Sequence, residues 1–467
     1  MSQRQTVTLI KSISGIRGTI GGKPGDNLTP LDVVKFAAAF GSWVQSRKGK
    51  KIVIGRDARL SGETVSQLVA ATLQSLGLDV IDLGLSTTPT VELAVTWEKA
   101  HGGIILTASH NPIQWNALKL LNEKGEFISA ADGAEVLRRA QAEEFVFADV
   151  LKLGAYEKKE KYIQKHIDLI LKYKWVDAKA IKKAKFKIAV DAVNSTGGIA
   201  VPKLLKALGV KKVVALYCDP TGHFPHNPEP LPEHLTAIAK KVKKEKCDLG
   251  IVVDPDVDRL ALIQENGKPF GEEYTLVAVA DYMLSKRKGN TVSNLSSTRA
   301  LRDITEKAKG TSTAAAVGEV NVVNAMKETK AVIGGEGNGG IIVPDFHYGR
   351  DALIGIALFL SHLAKSKLKA SELRATYPPY FISKNKIELT PGLDVDGLLE
   401  KVKARYAQEK INTADGVKID FESAKEWVHL RKSNTEPIIR IYAESQDEKK
   451  ANALAQRIMD DIRNLAS

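Results

Sequence analysis

The sequence predicts an α/β fold, with three similar α/β units in succession and a smaller α+β unit at the C-terminus. Three observations carry this reading. Short apolar runs alternate with helical stretches over roughly the first three quarters of the chain, the pattern of strands and helices packed in layers. A strand, a polar turn and a helix recur three times, at the spacing of related units. Beyond a Pro-Pro pair at 378–379 the order changes to a strand, a helix, three short strands and a final helix. At about 100–200 residues per domain, 467 residues accommodate two to four domains.

Taken in order, Thr29 caps the first long helix and Pro30 sits in its opening turn, with apolar residues running on to Phe40. Lys51-Ile52-Val53-Ile54-Gly55-Arg56-Asp57 is the first recurring strand and leads through Ser61-Gly62 into a helix. Ile163, Ile167, Ile170 and Leu171 share one helical face, so a helix there bridges the first two units, with a boundary near residue 155. Ile188-Ala189-Val190-Asp191 repeats the strand and is followed by Asn194, Ser195, Gly197 and Gly198. Thr291-Val292-Ser293-Asn294-Leu295 repeats it again before Ser296, Ser297 and another helix. Tyr377-Pro378-Pro379-Tyr380 is a stiff, non-helical join. A strand near Ile387 then precedes a helix carrying Val395, Leu398, Leu399 and Val402. Strands follow at 417–421, 427–430 and 438–442, and the last helix starts at about Glu448. The expected domains are 1–155, 156–260, 261–370 and 371–467.

Composition narrows the function classes. No run approaches the ~20 apolar residues of a membrane helix, and the polar N-terminus has no apolar signal core, so a cytoplasmic protein without membrane contact is expected. Cys218 and Cys247, the only cysteines, argue against a disulfide framework or zinc site. The net charge of +13 raises nucleic-acid binding. The basic clusters at 179–187 and 240–246 lack interleaved aromatics, however, and read as solvated helix faces. A positive field also gathers small anionic substrates.

Four strings carry chemistry. Thr107-Ala108-Ser109-His110-Asn111-Pro112 follows the apolar run 103–106, so Ser109 sits where a buried strand opens into a turn, held firmly yet reachable. His110 can move a proton and Lys119 can neutralise phosphate charge. Asp254-Pro255-Asp256-Val257-Asp258-Arg259 caps the strand 249–253. Alternate residues of an extended segment face one way, and three carboxylates brought together repel unless a hard cation such as Mg²⁺ lies between them. Arg259 can hold a phosphate there. Gly334-Gly335-Glu336-Gly337-Asn338-Gly339-Gly340 lets backbone approach a ligand while Glu336 and Asn338 address hydroxyls. Arg431-Lys432-Ser433-Asn434-Thr435-Glu436-Pro437, with Arg440 beyond, joins two strands and is dense in phosphate donors. Ser12-Ile13-Ser14-Gly15-Ile16-Arg17-Gly18 adds an arginine between glycines.

Together, and in this order over nearly the whole chain, these strings resemble the signatures of the α-D-phosphohexomutase family. The resemblance implies three α/β domains with mixed sheets and a smaller mobile domain around a central active-site cleft. It implies that Ser109, phosphorylated, passes its phosphate to a hexose phosphate, giving a hexose 1,6-bisphosphate that reorients and returns its other phosphate. Mg²⁺ would be held by Asp254, Asp256, Asp258 and the Ser109 phosphate. Arg17, His110, Lys119 and Arg259 would serve the reacting end, and Ser14, Glu336, Asn338, Arg431, Ser433, Asn434, Thr435 and Arg440 the bound sugar phosphate. Such an enzyme works on a small phosphosugar, as a monomer or homodimer, without nucleic acid. Pro255 and Ala117 stand where the family usually has Gly, Asn338 where it has Ser, and Gly340 where it often has His. Val317-Gly318-Glu319 falls where some relatives place His or a basic pair. Asn434 resembles the phosphomannomutase and phosphoglucomutase pattern, whereas Glu319 can pair with a substrate ammonium. Glucosamine, mannose and glucose phosphates all stay open, with a lean to glucosamine. Residues 251–257 also resemble the Asp-x-Asp strand of haloacid-dehalogenase-like phosphatases, with Asp254 as nucleophile. The later Asp pair such enzymes need has only Asp460-Asp461 to supply it, in an amphipathic helix. A basic nucleic-acid-binding protein, the third reading, leaves the three-Asp loop without a purpose.

Overall fold

The computed structural model describes residues 7–12, 15–388, 394–432 and 438–466. They form two compact units, Met1–Thr275 with Asn338–Ser371, and Leu276–Gly337 with Glu372–Ser467.

The first unit holds two mixed sheets. In the larger, seven strands lie in the order Ile10–Ser12, Gly15–Thr19, Trp115–Leu121, Gly102–Leu106, Lys51–Arg56, Asp79–Leu85 and Tyr156–Lys158. The first four pair antiparallel and the rest parallel. Gly102–Leu106 is apolar throughout and buried along its whole length, as a strand covered on both faces must be. The helix Pro30–Ser46 covers one face. It opens with a capping box in which the Asp32 backbone N–H donates to Thr29 Oγ1 and the Asp32 carboxylate accepts from the Thr29 N–H, as Thr29-Pro30 predicts. The second sheet runs Leu260–Gln264, Leu249–Val253, Lys187–Asp191, Lys212–Leu216, with only the first pair antiparallel. The turn joining Val253 to Leu260 therefore emerges from a fully buried hairpin.

The bridging helix is Tyr162–Lys172, and its buried face differs from the expected one. Ile163, Ile167 and Ile170 are buried, but Leu171 is only half-buried and His166 is fully enclosed. A histidine can take an apolar position because both ring nitrogens find partners, Thr90 Oγ1 at 3.0 Å and Asp351 Oδ2 at 2.9 Å. Asp351 also accepts the Leu353 and Ile354 N–H groups, capping the helix Ala352–Ser366.

In the second unit Thr291–Asn294 lies between Ser312–Ala315 and Ile333–Glu336, parallel to both. A five-stranded antiparallel sheet follows, ordered Phe381–Glu388, Ile438–Ser445, Glu426–Lys432, Val417–Phe421, Lys410–Asn412. The helices Val395–Arg405 and Glu448–Ala466 set Leu398, Val402, Leu454 and Ile458 against Ile419, Val428 and Ile441 to close its core. The fold is thus α/β with mixed sheets, ending in an α+β domain. Lys410–Asn412 is a strand the sequence pattern does not announce, being three residues long with only Ile411 apolar. The lysines at 240, 243, 244 and 246 are exposed, and the helix Thr236–Glu245 buries only Ile238 and Val242, so this cluster is a solvated face as expected. Among the described residues no helix is long and apolar enough to cross a membrane.

Candidate active site

Ser109 stands in the turn that follows the strand Gly102–Leu106, with its backbone in the left-handed region at φ +48°. Its N–H donates to Thr107 Oγ1 at 2.9 Å, and that hydroxyl donates to Asp57 Oδ2 at 2.7 Å. The loop is held from beneath by Arg59, a residue the sequence reading passes over as part of a polar turn. Arg59 is 1% exposed and uses all five of its N–H donors. Nε donates to Asp57 Oδ2, Nη1 to the Pro112 and Trp115 carbonyls, and Nη2 to the Ser109 and Asn111 carbonyls. A fork of fixed geometry thereby sets the backbone that presents Ser109.

Ser109 Oγ donates to Asp254 Oδ2 at 2.9 Å. Asp254, Asp256 and Asp258 are each 0% exposed, and one oxygen from each lies within 4.8 Å of the others. The convergence expected from strand alternation arises differently. The segment is a tight turn, with Val257 at φ +64° and its N–H donating to the Asp254 carbonyl. Asp254 Oδ1 accepts the Asp258 and Arg259 N–H groups, both at 3.1 Å. Resident donors take one oxygen of the other two carboxylates. Thr88 Oγ1 and Lys119 Nζ donate to Asp256 Oδ2 at 2.5 and 2.7 Å, and Arg350 Nη2 donates to Asp258 Oδ2 at 2.8 Å. Asp256 Oδ1 and Asp258 Oδ1 are buried without a hydrogen-bond partner. Buried, unpartnered carboxylate oxygens beside a third carboxylate are the donor set a hard divalent cation needs, so the residues fit Mg²⁺.

The electrostatics follow from this crowding. Burial, then the neighbouring Asp258 and Asp256, push the Asp254 carboxyl well above its ordinary range. Burial works the same way on Asp258, but Arg350, Lys119 and Arg259 outweigh it and hold that carboxyl low. Burial works to lower the Lys119 ammonium, yet Asp256 and Asp258 raise it above the ordinary lysine range. His110 is driven down to about 2 by burial and by Arg259, so its imidazole is neutral in this arrangement. Arg259 reaches Glu229 at 3.5 Å, while its Nε and that of Arg17 are buried with no hydrogen-bond partner. Arg17 stands opposite Ala117 on the adjoining strand, diagonal to Lys119.

The structure thus brings Ser109, His110, Lys119, Arg259 and the three aspartates together in the first unit, and adds Arg59, Thr88 and Arg350. Arg350 explains the departure at 340: a Cβ on Gly340 would run into the Arg350 side chain. Asn338 Oδ1 accepts the Gly340 N–H at 3.2 Å within its own loop. In the second unit Glu336 is 5% exposed and accepts from Asn294 Nδ2 and the Gly318 N–H. Glu319 heads the helix Glu319–Thr329. Arg431 forms an ion pair with Asp415 at 2.8 Å and stands directly opposite Arg440. Ser14, Ser433, Asn434 and Thr435 lie outside the described residues. Asp460 pairs with Arg463, and Asp461 takes Tyr406 and Arg405, so this pair is occupied within the C-terminal domain.

Four family profiles match in succession. They are phosphoglucomutase/phosphomannomutase alpha/beta/alpha domain I over residues 9–147, domain II over 161–267, domain III over 271–380, and the C-terminal domain over 387–461. The chain belongs to this family, the α-D-phosphohexomutases. It is accordingly a phosphohexomutase, an isomerase that shifts phosphate within a sugar. Among its relatives is a phosphoglucomutase/phosphomannomutase of Thermococcus kodakarensis, 37% identical over 93% of this chain and 95% of that one. A phosphoglucosamine/phosphogalactosamine mutase of Sulfurisphaera tokodaii is 33% identical over 95% of this chain and 97% of that one. A solved phosphoglucomutase/phosphomannomutase family protein from Burkholderia thailandensis superposes with a TM-score of 0.82 at 26% identity, covering 100% of this chain and 97% of that one. The fold is also shared, at TM-score 0.59 and 15% identity over 100% and 97% of the two chains, with Aspergillus fumigatus N-acetylphosphoglucosamine mutase, solved in complex with GlcNAc-6P and magnesium.

Proposed function

We propose that this enzyme interconverts hexose 1-phosphate and hexose 6-phosphate through a phosphorylated Ser109 and a hexose 1,6-bisphosphate. The observation that carries the reading is the Ser109 hydroxyl 2.9 Å from Asp254, within a trio of buried carboxylates of which Asp256 and Asp258 each keep one oxygen without a hydrogen-bond partner. Asp254, Asp256 and Asp258 would hold Mg²⁺, which would neutralise the charge of the transferring phosphoryl group. A sugar hydroxyl attacks phosphorus as the Ser109 Oγ–P bond breaks. The hydroxyl proton ends on the released Ser109 Oγ, with His110 placed to assist its movement, and Lys119, Arg259 and Arg17 balance the oxygens of the phosphoryl group. After the bisphosphate turns, its second phosphoryl returns to Ser109 Oγ and the proton goes back to the released hydroxyl. Glu336 and Asn338 address the sugar, Arg431, Ser433, Asn434 and Thr435 hold the distal phosphate, and Ser14 and Arg440 add to substrate binding.

We infer a glucosamine, mannose or glucose phosphate as substrate. Glucosamine is favoured because Glu319, which follows the Gly318 whose N–H donates to Glu336, suits an ammonium. We place the enzyme in the cytoplasm, as a monomer or homodimer, with divisions near residues 155, 260 and 370. The test is ³¹P NMR of the protein with Mg²⁺ and a trace of sugar 1,6-bisphosphate, each 6-phosphate offered separately. A 1-phosphate signal is expected, and free phosphate alone would return Asp254 to the role of phosphatase nucleophile. Ser109→Ala is expected to lose turnover while the fold is retained, because the Arg59 fork that fixes this loop holds backbone carbonyls and not the serine hydroxyl. Normal turnover in that variant would sink the mechanism.

A further inference from the structure

His166 is fully buried and takes no part in the chemistry above, yet it lies between the two pieces of chain that hold the carboxylate turn. One piece is the start of the helix Thr88–Trp97. The Thr88 N–H donates to the Asp256 carbonyl at 2.8 Å, and Thr88 Oγ1 donates to Asp256 Oδ2. The other piece is the segment 350–352. Arg350 Nη2 donates to Asp258 Oδ2, and the Ala352 N–H donates to the Val257 carbonyl at 3.2 Å. Each piece thus holds the turn by one backbone bond and one side-chain bond. The oxygens left over, Asp256 Oδ1 and Asp258 Oδ1, are the two with no hydrogen-bond partner. Their separation therefore depends on how far apart the two pieces stand.

A buried run of hydrogen bonds ties the pieces together. Thr90, two residues past Thr88, has its Oγ1 3.0 Å from His166 Nδ1. His166 Nε2 is 2.9 Å from Oδ2 of Asp351, the residue between Arg350 and Ala352. Thr90, His166 and Asp351 are each 0% exposed. Chemistry sets the directions. Asp351 Oδ1 accepts the Leu353 and Ile354 N–H groups, as an ionised carboxylate does, so Nε2 donates to Oδ2. In the neutral imidazole Nδ1 then accepts from the Thr90 hydroxyl, which itself accepts from Thr87. The ring has a fixed base, because Ile163, Ile167 and Ile170 of its helix are buried and Phe346 packs against it at 5.6 Å between centroids. His347 Nε2 reaches the same Asp351 oxygen at 3.2 Å. Asp351 therefore keeps partners when residue 166 is changed, and what the change removes is the link to Thr90.

We propose that His166 is a positioning residue for the metal site, acting through Thr90 and Asp351 to fix the separation of Asp256 Oδ1 and Asp258 Oδ1. Mg²⁺ demands near-ideal octahedral geometry. Two like-charged carboxylates gripped only from their far sides spread apart when the grip slackens. The inference rests on the reading of the three aspartates as a Mg²⁺ site.

Mn²⁺ suits the same oxygen donors, so the test is its titration into the full chain without sugar, followed by the paramagnetic resonance signal of the free ion. His166→Phe keeps a ring against Phe346 and loses both polar ends. It is expected to weaken Mn²⁺ binding about tenfold. Thr90→Val, a milder change at the other end of the link, is expected to do the same, and the double variant no more than either alone, because both cut one connection. Thr90→Ser keeps the hydroxyl and is expected to bind as the parent does. A role confined to packing would lower the melting temperature of the metal-free protein and leave Mn²⁺ affinity where it was. Parent-like affinity in folded His166→Phe or Thr90→Val therefore overturns the proposal, as do losses that add in the double variant. A parent that binds Mn²⁺ no better than Asp256→Asn defeats the metal reading itself, and the inference with it.

Discussion

A serine at φ +48° pays roughly 1–2 kcal/mol for its left-handed backbone, and Arg59 is what makes that conformation hold. Its five donors meet four carbonyls and one carboxylate, so removing it strands several buried acceptors at once. Arg59→Met is expected to cost ~3–5 kcal/mol, read as a fall in denaturation midpoint. Arg59→Lys should recover little of it, because an ammonium cannot fork to five acceptors. A lysine variant as stable as the parent would show that charge alone suffices. Arg350 is the matching device at the carboxylate turn. Arg350→Met is expected to lower the melting temperature in EDTA by several degrees, since it leaves Asp258 buried with less compensation. Millimolar Mg²⁺ should restore most of the loss, and an equal loss with and without Mg²⁺ would make Arg350 a simple packing residue. Neither arginine is legible as functional in the sequence. Each acts on a loop 50 or 92 residues away, and nothing in a string of letters marks an arginine as buried. Ser109 and the three aspartates are legible because each lies in a continuous motif at the end of an apolar strand.

At the level of elements, Ile438–Ser445 brings a carboxylate into the interior. Burial pushes the Glu444 carboxyl up to about 7, although Thr298, the Arg299 N–H, Lys418 and Trp427 Nε1 all favour its charged form. A carboxyl raised by folding keeps a proton that the unfolded chain releases. Its contribution to stability therefore falls as pH climbs from about 4.5 to 7 and is flat above that, a change of ~3 kcal/mol across the window. Glu444→Gln is expected to be insensitive over this interval, so parent and variant should diverge most at pH 8. Urea midpoints for both at pH 5 and pH 8 measure this, and parallel pH profiles would refute it. Elements with strong local signals are those that sequence reasoning finds: the Thr29 cap, the recurring strand-to-helix turns and the final helix. The convergence of the aspartates is legible but its cause is not, because a left-handed Val257 leaves no glycine to mark the turn. His166 eludes the apolar pattern for a similar reason, its partners Thr90 and Asp351 being distant in sequence.

Across the whole molecule, an excess of 13 positive charges surrounds an enzyme whose substrates are dianions. The field should speed encounter, so kcat/KM is expected to fall several-fold as NaCl rises from ~10 to ~200 mM while kcat holds nearly constant. A flat kcat/KM would mean the positive charge does other work, such as keeping the protein dispersed.

The first unit is discontinuous, its last segment returning only at Asn338–Ser371. During synthesis Asp258 therefore leaves the ribosome 92 residues ahead of Arg350. At ~5–20 residues per second, the nascent turn waits roughly 5–20 seconds for that counter-charge, with Lys119 already made. The order of translation thus gives a free divalent ion in the cell an opportunity to be the first partner of Asp258, and the arginine arrives to a turn already gathered around it.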